Sequence, residues 1–392
     1  MTTIYDLPKP GSPLSARSKL LSDHIRQIIS KQNKAISFAD FMELALYHPE
    51  FGYYNADTFD LGEHGDFTTA PEISPLFAKC IARQIQQIHH ALGKNNILEL
   101  GAGTGRLAHD LLSELNRLGC LPDYYYICEI SKTLQKKQQD FLRSACPDFY
   151  SRIIWLDHLP EHFIGTIIAN EVLDALPAHC LYIQENQVKE RCVNWDGEKF
   201  IWELCQPGST ELTKSALALR ELYELPDGYQ FEINLAMREL IASLSHSLEK
   251  GIMLLVDYGY GQEEYYHPER RQGTLTCFYQ HQRHNDPLIF PGLQDITTHV
   301  DFTSVVDKAA DCGFSLSGYT SQAAFLLACG LSELVSAEEK HLSQADEVKL
   351  HHAVKLLTLP TEMGERIKFM ALSKRMDLAL LGFNLQDRRR EL

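Results

Sequence analysis

Residues 96–105, Asn96-Ile97-Leu98-Glu99-Leu100-Gly101-Ala102-Gly103-Thr104-Gly105, decide the fold. A short apolar run ends in three glycines at alternate positions, and Leu107, Leu111, Leu115 and Leu118 then recur on one helical face, closed by Gly119. This pattern predicts a buried strand over 96–100, a tight turn and an amphipathic helix. Gly101 and Gly103 permit positive φ and close approach of a ligand to the backbone. The amino terminus of the helix supplies free N–H groups.

Working outward, strands are predicted at 124–128, 153–156 and 166–169, with a polar helix over 131–143. Strands alternating with helices indicate a parallel sheet covered on both faces, a Rossmann-like α/β fold. Residues 179–233 break the rhythm: 180–183, 188–193 and 200–205 alternate like antiparallel strands around an Asp196-Gly197 turn, a β-rich insertion. The sheet resumes at 251–256. Residues 258–300 carry Tyr258, Tyr260, Tyr265, Tyr266, Phe278 and Tyr279 among glycines and prolines, which predicts an ordered lid. Asp301 then caps a helix running to Gly313, and the last strand is expected at 367–373. Upstream, residues 1–95 are expected to form a helical cap region, with Leu21, Ile25, Ile28 and Ile29 at helical spacing and Ser37 with Asp40 as a capping box. The core is thus expected over 96–178 and 234–392.

Two ligands compete for the glycine turn. A dinucleotide site prefers Gly-x-Gly-x-x-Gly, whose third glycine lets the helix pack close to the strand. Here Arg106 holds the sixth place and Gly105 comes one residue early. S-adenosylmethionine needs no pyrophosphate cradle, and Glu99 within the strand is suited to order the loop or face an ammonium group. That favours methyl transfer over an NAD(P)-dependent oxidoreductase. Glu129, at the carboxyl edge of the second strand, is placed to accept ribose hydroxyls, and Asp157, after the third, to meet the adenine amino group.

The fourth strand ends in Ala169-Asn170-Glu171-Val172-Leu173-Asp174-Ala175-Leu176-Pro177, so Asn170 and Glu171 are expected beside the transferable methyl. Glu171 and Asp174, one helical turn apart, suit a guanidinium, because two carboxylates can grip it and hold positive charge on the nitrogens that do not attack. The competing reading is a helix start enriched in acids to match its dipole. Asp257 and Tyr258 close the strand at 251–256 on the same edge and are candidates to line the acceptor site. His281, in the lid, is a further candidate there, and with His299 it titrates near neutral pH unless both are structural. The adjacent pairs His89-His90 and His351-His352 point in divergent directions on helices, so no metal site is expected.

Composition bounds the rest. Of 392 residues, 44% are apolar, 23% charged and 10% aromatic, an ordinary globular balance, and the formal charge is −15. Binding of nucleic acid needs clustered Lys and Arg, and the one run, Arg388-Arg389-Arg390, stands at the extreme end; no nucleic-acid partner is expected. The ten cysteines include no Cys-x-x-Cys pair, which fits a reducing compartment. Residues 1–14 show neither a signal-peptide apolar core nor an Arg-rich presequence, and no apolar run approaches the ~18 residues of a membrane span. The expectation is a cytoplasmic protein.

An ordered set of segments resembles the MidA-type methyltransferases, which include the mitochondrial assembly-factor methyltransferase of respiratory complex I. The segments are Gly65-Asp66-Phe67-Thr68-Thr69-Ala70-Pro71-Glu72-Ile73-Ser74, Leu98 to Gly105, Ala169 to Pro177, Asp257-Tyr258-Gly259, Gly273-Thr274-Leu275, Pro291-Gly292 with Asp295-Ile296-Thr297, and Met363-Gly364-Glu365. The resemblance covers residues 37–373. It implies a class I adenosylmethionine-dependent fold, with Phe67, Thr68 and Thr69 folded over the cofactor. It also implies a protein substrate, with methylation of an arginine on a complex I subunit as the candidate reaction. A non-catalytic assembly factor on the same fold is the alternative from another class. Where the family pattern has Gln-x-Phe after Ile-Ser, this chain has Pro75-Leu76-Phe77.

Overall fold

Seven strands form the main path of the eight-stranded sheet to which the glycine turn belongs: β1 (Ile97–Leu100), β2 (Tyr125–Cys128), β3 (Ile153–Leu156), β4 (Phe163–Asn170), β5 (Leu248–Tyr260), β6 (Ser315–Ser321) and β7 (Ile367–Lys374), with the short strand Val300–Asp301 pairing on the end of β5. They lie in the order β3-β2-β1-β4-β5-β7-β6 in this computed structural model, which describes residues 7–56, 68–93 and 96–392. The first five are parallel, and β7 runs antiparallel to both its neighbours.

The sheet is central because its strands are apolar on both sides. All four residues of β1 are buried, and Ile252 to Val256 in β5 are fully so. One face packs on the helices Pro75–Leu92 and Arg106–Arg117, through Ile81, Ile85, Leu107, Leu111 and Leu115. The other packs on Leu235–Ser247 and Phe302–Asp311, through Ile241, Leu244, Phe302 and Val305. Each such side chain contributes about 1.5–3 kcal/mol on burial. The helix Arg106–Arg117 therefore holds the glycine turn against the sheet.

A second sheet orders Ile36–Ser37, Gln187–Trp195, His179–Gln184 and Gln230–Ile233, with Phe200–Cys205 pairing on Gln187–Trp195. Its first strand comes from the amino-terminal region, between the helices Ser12–Gln32 and Phe38–Tyr47. Ser37 caps the second of these, accepting the Asp40 N–H at 3.0 Å. One apolar cluster joins Leu21, Ile25, Phe38 and Phe41 to Cys180, Val193 and Phe200 and to Cys277 and Ile296. The last two lie in the expected lid, where Thr276–Tyr279, Gln282–His284 and Asp295–Thr297 form a three-stranded antiparallel sheet.

Three local expectations change. Trp195 pairs with Phe200, so the insertion turn spans four residues, with the Asp196 carboxylate accepting the Glu198 and Lys199 N–H groups. Strand β6 had no apolar signature, because its sequence Ser-Leu-Ser-Gly-Tyr-Thr-Ser occupies the sheet edge. Residues 171–177 form a turn and not a helix.

Candidate functional site

The strand order reverses between β2 and β4, which flank β1 on opposite sides. Open α/β sheets bind ligands outside the carboxyl ends of the strands at such a point. A cavity of about 690 Å³ lies there, within the roughly 300–1,000 Å³ of small-molecule sites. The glycine turn, Glu129, Asn170 and Glu171 line it, as do Tyr47, Tyr54 and Thr69 from the amino-terminal region.

Gly101 and Gly103 take φ of 59° and 52°, the left-handed region that favours glycine. The Gly101 N–H donates to the Cys128 carbonyl at 3.0 Å, tying the turn to the end of β2. A Cβ at Gly101 would stand 3.3 Å from Val172. The Thr104 hydroxyl donates to Glu72 at 2.5 Å, which fastens the turn to the short helix Ala70–Ile73. Gly105, φ 86°, is different: it does not line the cavity, and its Cβ would meet Leu142 and Phe141 at 3.4 Å. It serves the packing of one helix on another.

Glu99 lines the cavity, is 2% exposed and accepts the Tyr125 hydroxyl at 2.7 Å. Burial pushes its pKa up to about 7 against that hydrogen bond. At Glu129, one carboxylate oxygen accepts the Ser131 N–H at 2.9 Å and the other accepts Gln138 Nε2 at 3.0 Å. Each oxygen keeps a lone pair for an incoming hydroxyl. Burial raises its pKa as well, partly offset by those two bonds.

Gln138 was not singled out by the sequence. Fully buried, it donates to the Gly103 carbonyl at 3.0 Å and accepts the Trp155 indole N–H at 3.1 Å, so one amide holds the turn, the ribose-side acid and β3 together. It sits in a helix that reads as polar and solvated, and nothing in its spacing marks it. Tyr47 and Tyr54 were equally silent. The first donates to the Ala175 carbonyl at 2.9 Å and the second to Asp295 at 2.8 Å.

Glu171 stands at the tip of β4 with φ 51°, a conformation costing about 1–3 kcal/mol for a residue with a side chain. Its own N–H donates to the Val256 carbonyl at 2.8 Å, and Asn170 Nδ2 donates to its carboxylate at 3.3 Å. Burial, then the neighbouring Asp174, push its pKa up to about 8. Beneath the turn, one Asp257 oxygen accepts the N–H groups of Leu173 and Asp174 at 2.8 and 3.3 Å, and the other accepts that of Tyr258 at 2.8 Å. Burial and Glu171 raise Asp257 to about 8. Asp174 is raised well above the usual range, by burial and by Asp257 and Asp295. Four carboxyls thus share one poorly solvated place.

Several expected site residues sit elsewhere. Glu171 and Asp174 are not successive turns of a helix, since Glu171 is left-handed and Asp257 takes the N–H groups a helix start would offer. Glu171 lines the cavity, whereas Asp174 does not. Asp257 and Tyr258 lie behind the turn and support it from below. The Asp157 side chain is 69% exposed and pairs with Lys132 at 2.5 Å, away from the cavity. His281 is exposed at a hairpin tip, φ 60°, also off the cavity. Its lid neighbour His299 is held neutral, its pKa pushed down to about 3 by burial, and it borders a second cavity. Thr69 lines the site and Thr68 does not; Phe67 lies outside the described residues.

Residues 80–320, more than half of the chain, match a family of S-adenosyl-L-methionine-dependent methyltransferases. The chain belongs to this family. A solved Burkholderia thailandensis protein, bound to S-adenosyl-homocysteine, is 37% identical over 99% of this chain and 100% of its own, with a TM-score of 0.93. The Drosophila melanogaster mitochondrial protein arginine methyltransferase NDUFAF7 homolog is 29% identical over 93% of this chain and 88% of its own. The Danio rerio protein arginine methyltransferase NDUFAF7 is 29% identical over 88% and 85%. The MidA-type resemblance and its cofactor are therefore established, and the dinucleotide alternative falls.

This chain's residues fit S-adenosylmethionine. Gly101 and Gly103 present bare backbone to the cavity, Glu129 offers paired acceptors, and the Asn170 amide oxygen is buried with no hydrogen-bond partner among the described residues. The cofactor, when bound, supplies a methyl group activated on a sulfonium. The turn, Glu99 and Glu129 would hold its nucleoside and Asn170 its polar tail, leaving Glu171 at the reacting end.

Proposed function

We propose that this methyltransferase is a protein arginine N-methyltransferase. The observation that carries the reading is Glu171, a carboxyl in the cavity wall whose proton is retained to about pH 8 because burial and Asp174 disfavour its charge. A guanidinium relieves that situation. It pairs with the ionised carboxylate through two parallel N–H donors and leaves a third nitrogen for methylation. An anionic acceptor would add to the repulsion. Holding the nucleophile in line is worth on the order of 7–11 kcal/mol, and the strained Glu171 backbone, fixed by Val256 and Asp257, supplies a rigid anchor for it. Relatives 28–29% identical to this chain are named protein arginine methyltransferases, which supports the same reading.

A complex I subunit, the acceptor implied by the family resemblance, belongs to this proposal, as does a cytoplasmic location. The ten cysteines form no disulfide among the described residues, in keeping with a reducing compartment. No described helix is long and apolar enough to cross a membrane.

The test is incubation of the protein with methyl-labelled S-adenosylmethionine and cell lysate, followed by acid hydrolysis of the labelled protein. Label in methylarginine is the expected result. Label in another amino acid contradicts the arginine assignment. Tight cofactor binding with no label in any lysate protein favours the non-catalytic assembly factor.

A further inference from the structure

We propose that His179, oriented by Glu190, accepts the proton that the acceptor nitrogen loses on methylation; this rests on the arginine reading. His179 opens the strand His179–Gln184, two residues after Pro177, and lines the same cavity as Glu171. Its Nδ1 lies 2.7 Å from one oxygen of Glu190, a side chain 1% exposed. The other Glu190 oxygen accepts the Gly208 N–H at 2.7 Å, so the carboxylate cannot turn. With Nδ1–H donating to that carboxylate, Nε2 keeps its lone pair. Among the described residues Nε2 has no hydrogen-bond partner, and the side chain stays 21% exposed. A carboxylate–imidazole pair with one ring nitrogen open, on a residue that lines the cavity, is the arrangement of a general base.

The balance requires one. As the new N–C bond forms, the S–C bond breaks and its electron pair stays on sulfur, which becomes neutral. The nitrogen that attacked the methyl then carries one proton too many within a guanidinium that is already charged, and it gives that proton to Nε2. The imidazolium returns it to water. Glu171 is the poorer acceptor, because a protonated carboxyl would release the cation it grips. Besides the acids of the cofactor side, the charged groups that line the cavity are Asp40 and Glu43, on the helix Phe38–Tyr47 that packs against this strand, Glu72, Glu239 and Arg106. On the neighbouring strand Gln230–Ile233, Glu232 is engaged by Thr274.

The full chain is assayed for label transfer to lysate arginine from pH 5.5 to 9, with calorimetry for the cofactor and NMR titration of the His179 ring. His179→Gln should lower the rate roughly 100-fold, reduce the acidic limb of the profile to the Glu171 step alone and leave cofactor affinity unchanged. Glu190→Gln should move the ring titration and the acidic limb together to lower pH. An unaltered rate and limb in His179→Gln, or a loss of cofactor affinity matching the loss of rate, overturns the role. Label outside arginine removes this inference together with the arginine reading, whereas the other failures remove His179 alone.

Discussion

Glu171 concentrates the chemistry of the site in one side chain, and its amide analogue separates binding from turnover. Glu171→Gln keeps the shape but cannot pair as an anion with a guanidinium, so methyl transfer should fall at least ~100-fold, the lower end for a positioned acid or base. Cofactor affinity by calorimetry should change little, and unchanged turnover would remove Glu171 from the mechanism. Gln138 acts on the other half of the site. Gln138→Leu leaves the Gly103 carbonyl, the Glu129 carboxylate and the Trp155 N–H each short of a partner. At about 1–3 kcal/mol for a buried polar group left unpaired, cofactor affinity should weaken 10-fold or more. A wild-type dissociation constant would contradict the role given to this amide. Strand-tip acids such as Glu99, Glu129 and Glu171 were legible because the carboxyl edge of a parallel sheet can be located from sequence. Gln138 was not, since a helix spacing does not reveal which polar side chain turns inward. Asp157 was misplaced for a related reason: a turn carboxylate pairs with whichever cation is near, and Lys132 was nearer than any ligand.

Among elements, the glycine turn divides its duties. Gly101 and Gly103 border the cavity, while Gly105 faces Leu142 and Phe141. Gly105→Ala forces a side chain into φ 86°, at a cost of about 1–2 kcal/mol. It should lower the melting temperature while cofactor affinity in the folded protein is nearly preserved, as melting curves and calorimetry would show. Loss of affinity without loss of stability would reverse the assignment. The strands β1 to β5 were readable because apolar runs bounded by glycine and polar turns have few alternatives. Spacing failed at residues 171–174. Acids three apart suit a helix start, yet the left-handed Glu171 and the capping carboxylate of Asp257, 83 and more residues away in sequence, impose a turn. Strand β6 escaped because an edge strand needs no continuous apolar face.

At the scale of the whole molecule, the amino-terminal helices, the insertion and the lid share an apolar cluster, a union that local pattern cannot show because it joins residues more than 200 positions apart. The buried acids also shape stability. Glu99, Glu171 and Asp257 hold their protons to about pH 7, 8 and 8 in the fold, but ionise near 4 once unfolded. Between these limits the native state binds more protons, so stability falls as pH rises through the window. His89 and His299, pushed down to about 4 and 3, act oppositely and only below about 6.5. Melting temperature should therefore decline as pH rises from 6.5 to 8.5, where the carboxyls act and the histidines no longer do; a rise across that interval would contradict the buried-carboxyl account.

The central claim is that the cavity outside β1, β2 and β4 seats the nucleoside with its sulfur toward the tip of β4. A crystal structure of this protein with S-adenosyl-homocysteine tests it most directly. The ribose is predicted within hydrogen-bond reach of Glu129 and the sulfur facing Asn170 and Glu171. A nucleoside bound elsewhere, or one whose sulfur turns away from Glu171, would contradict it.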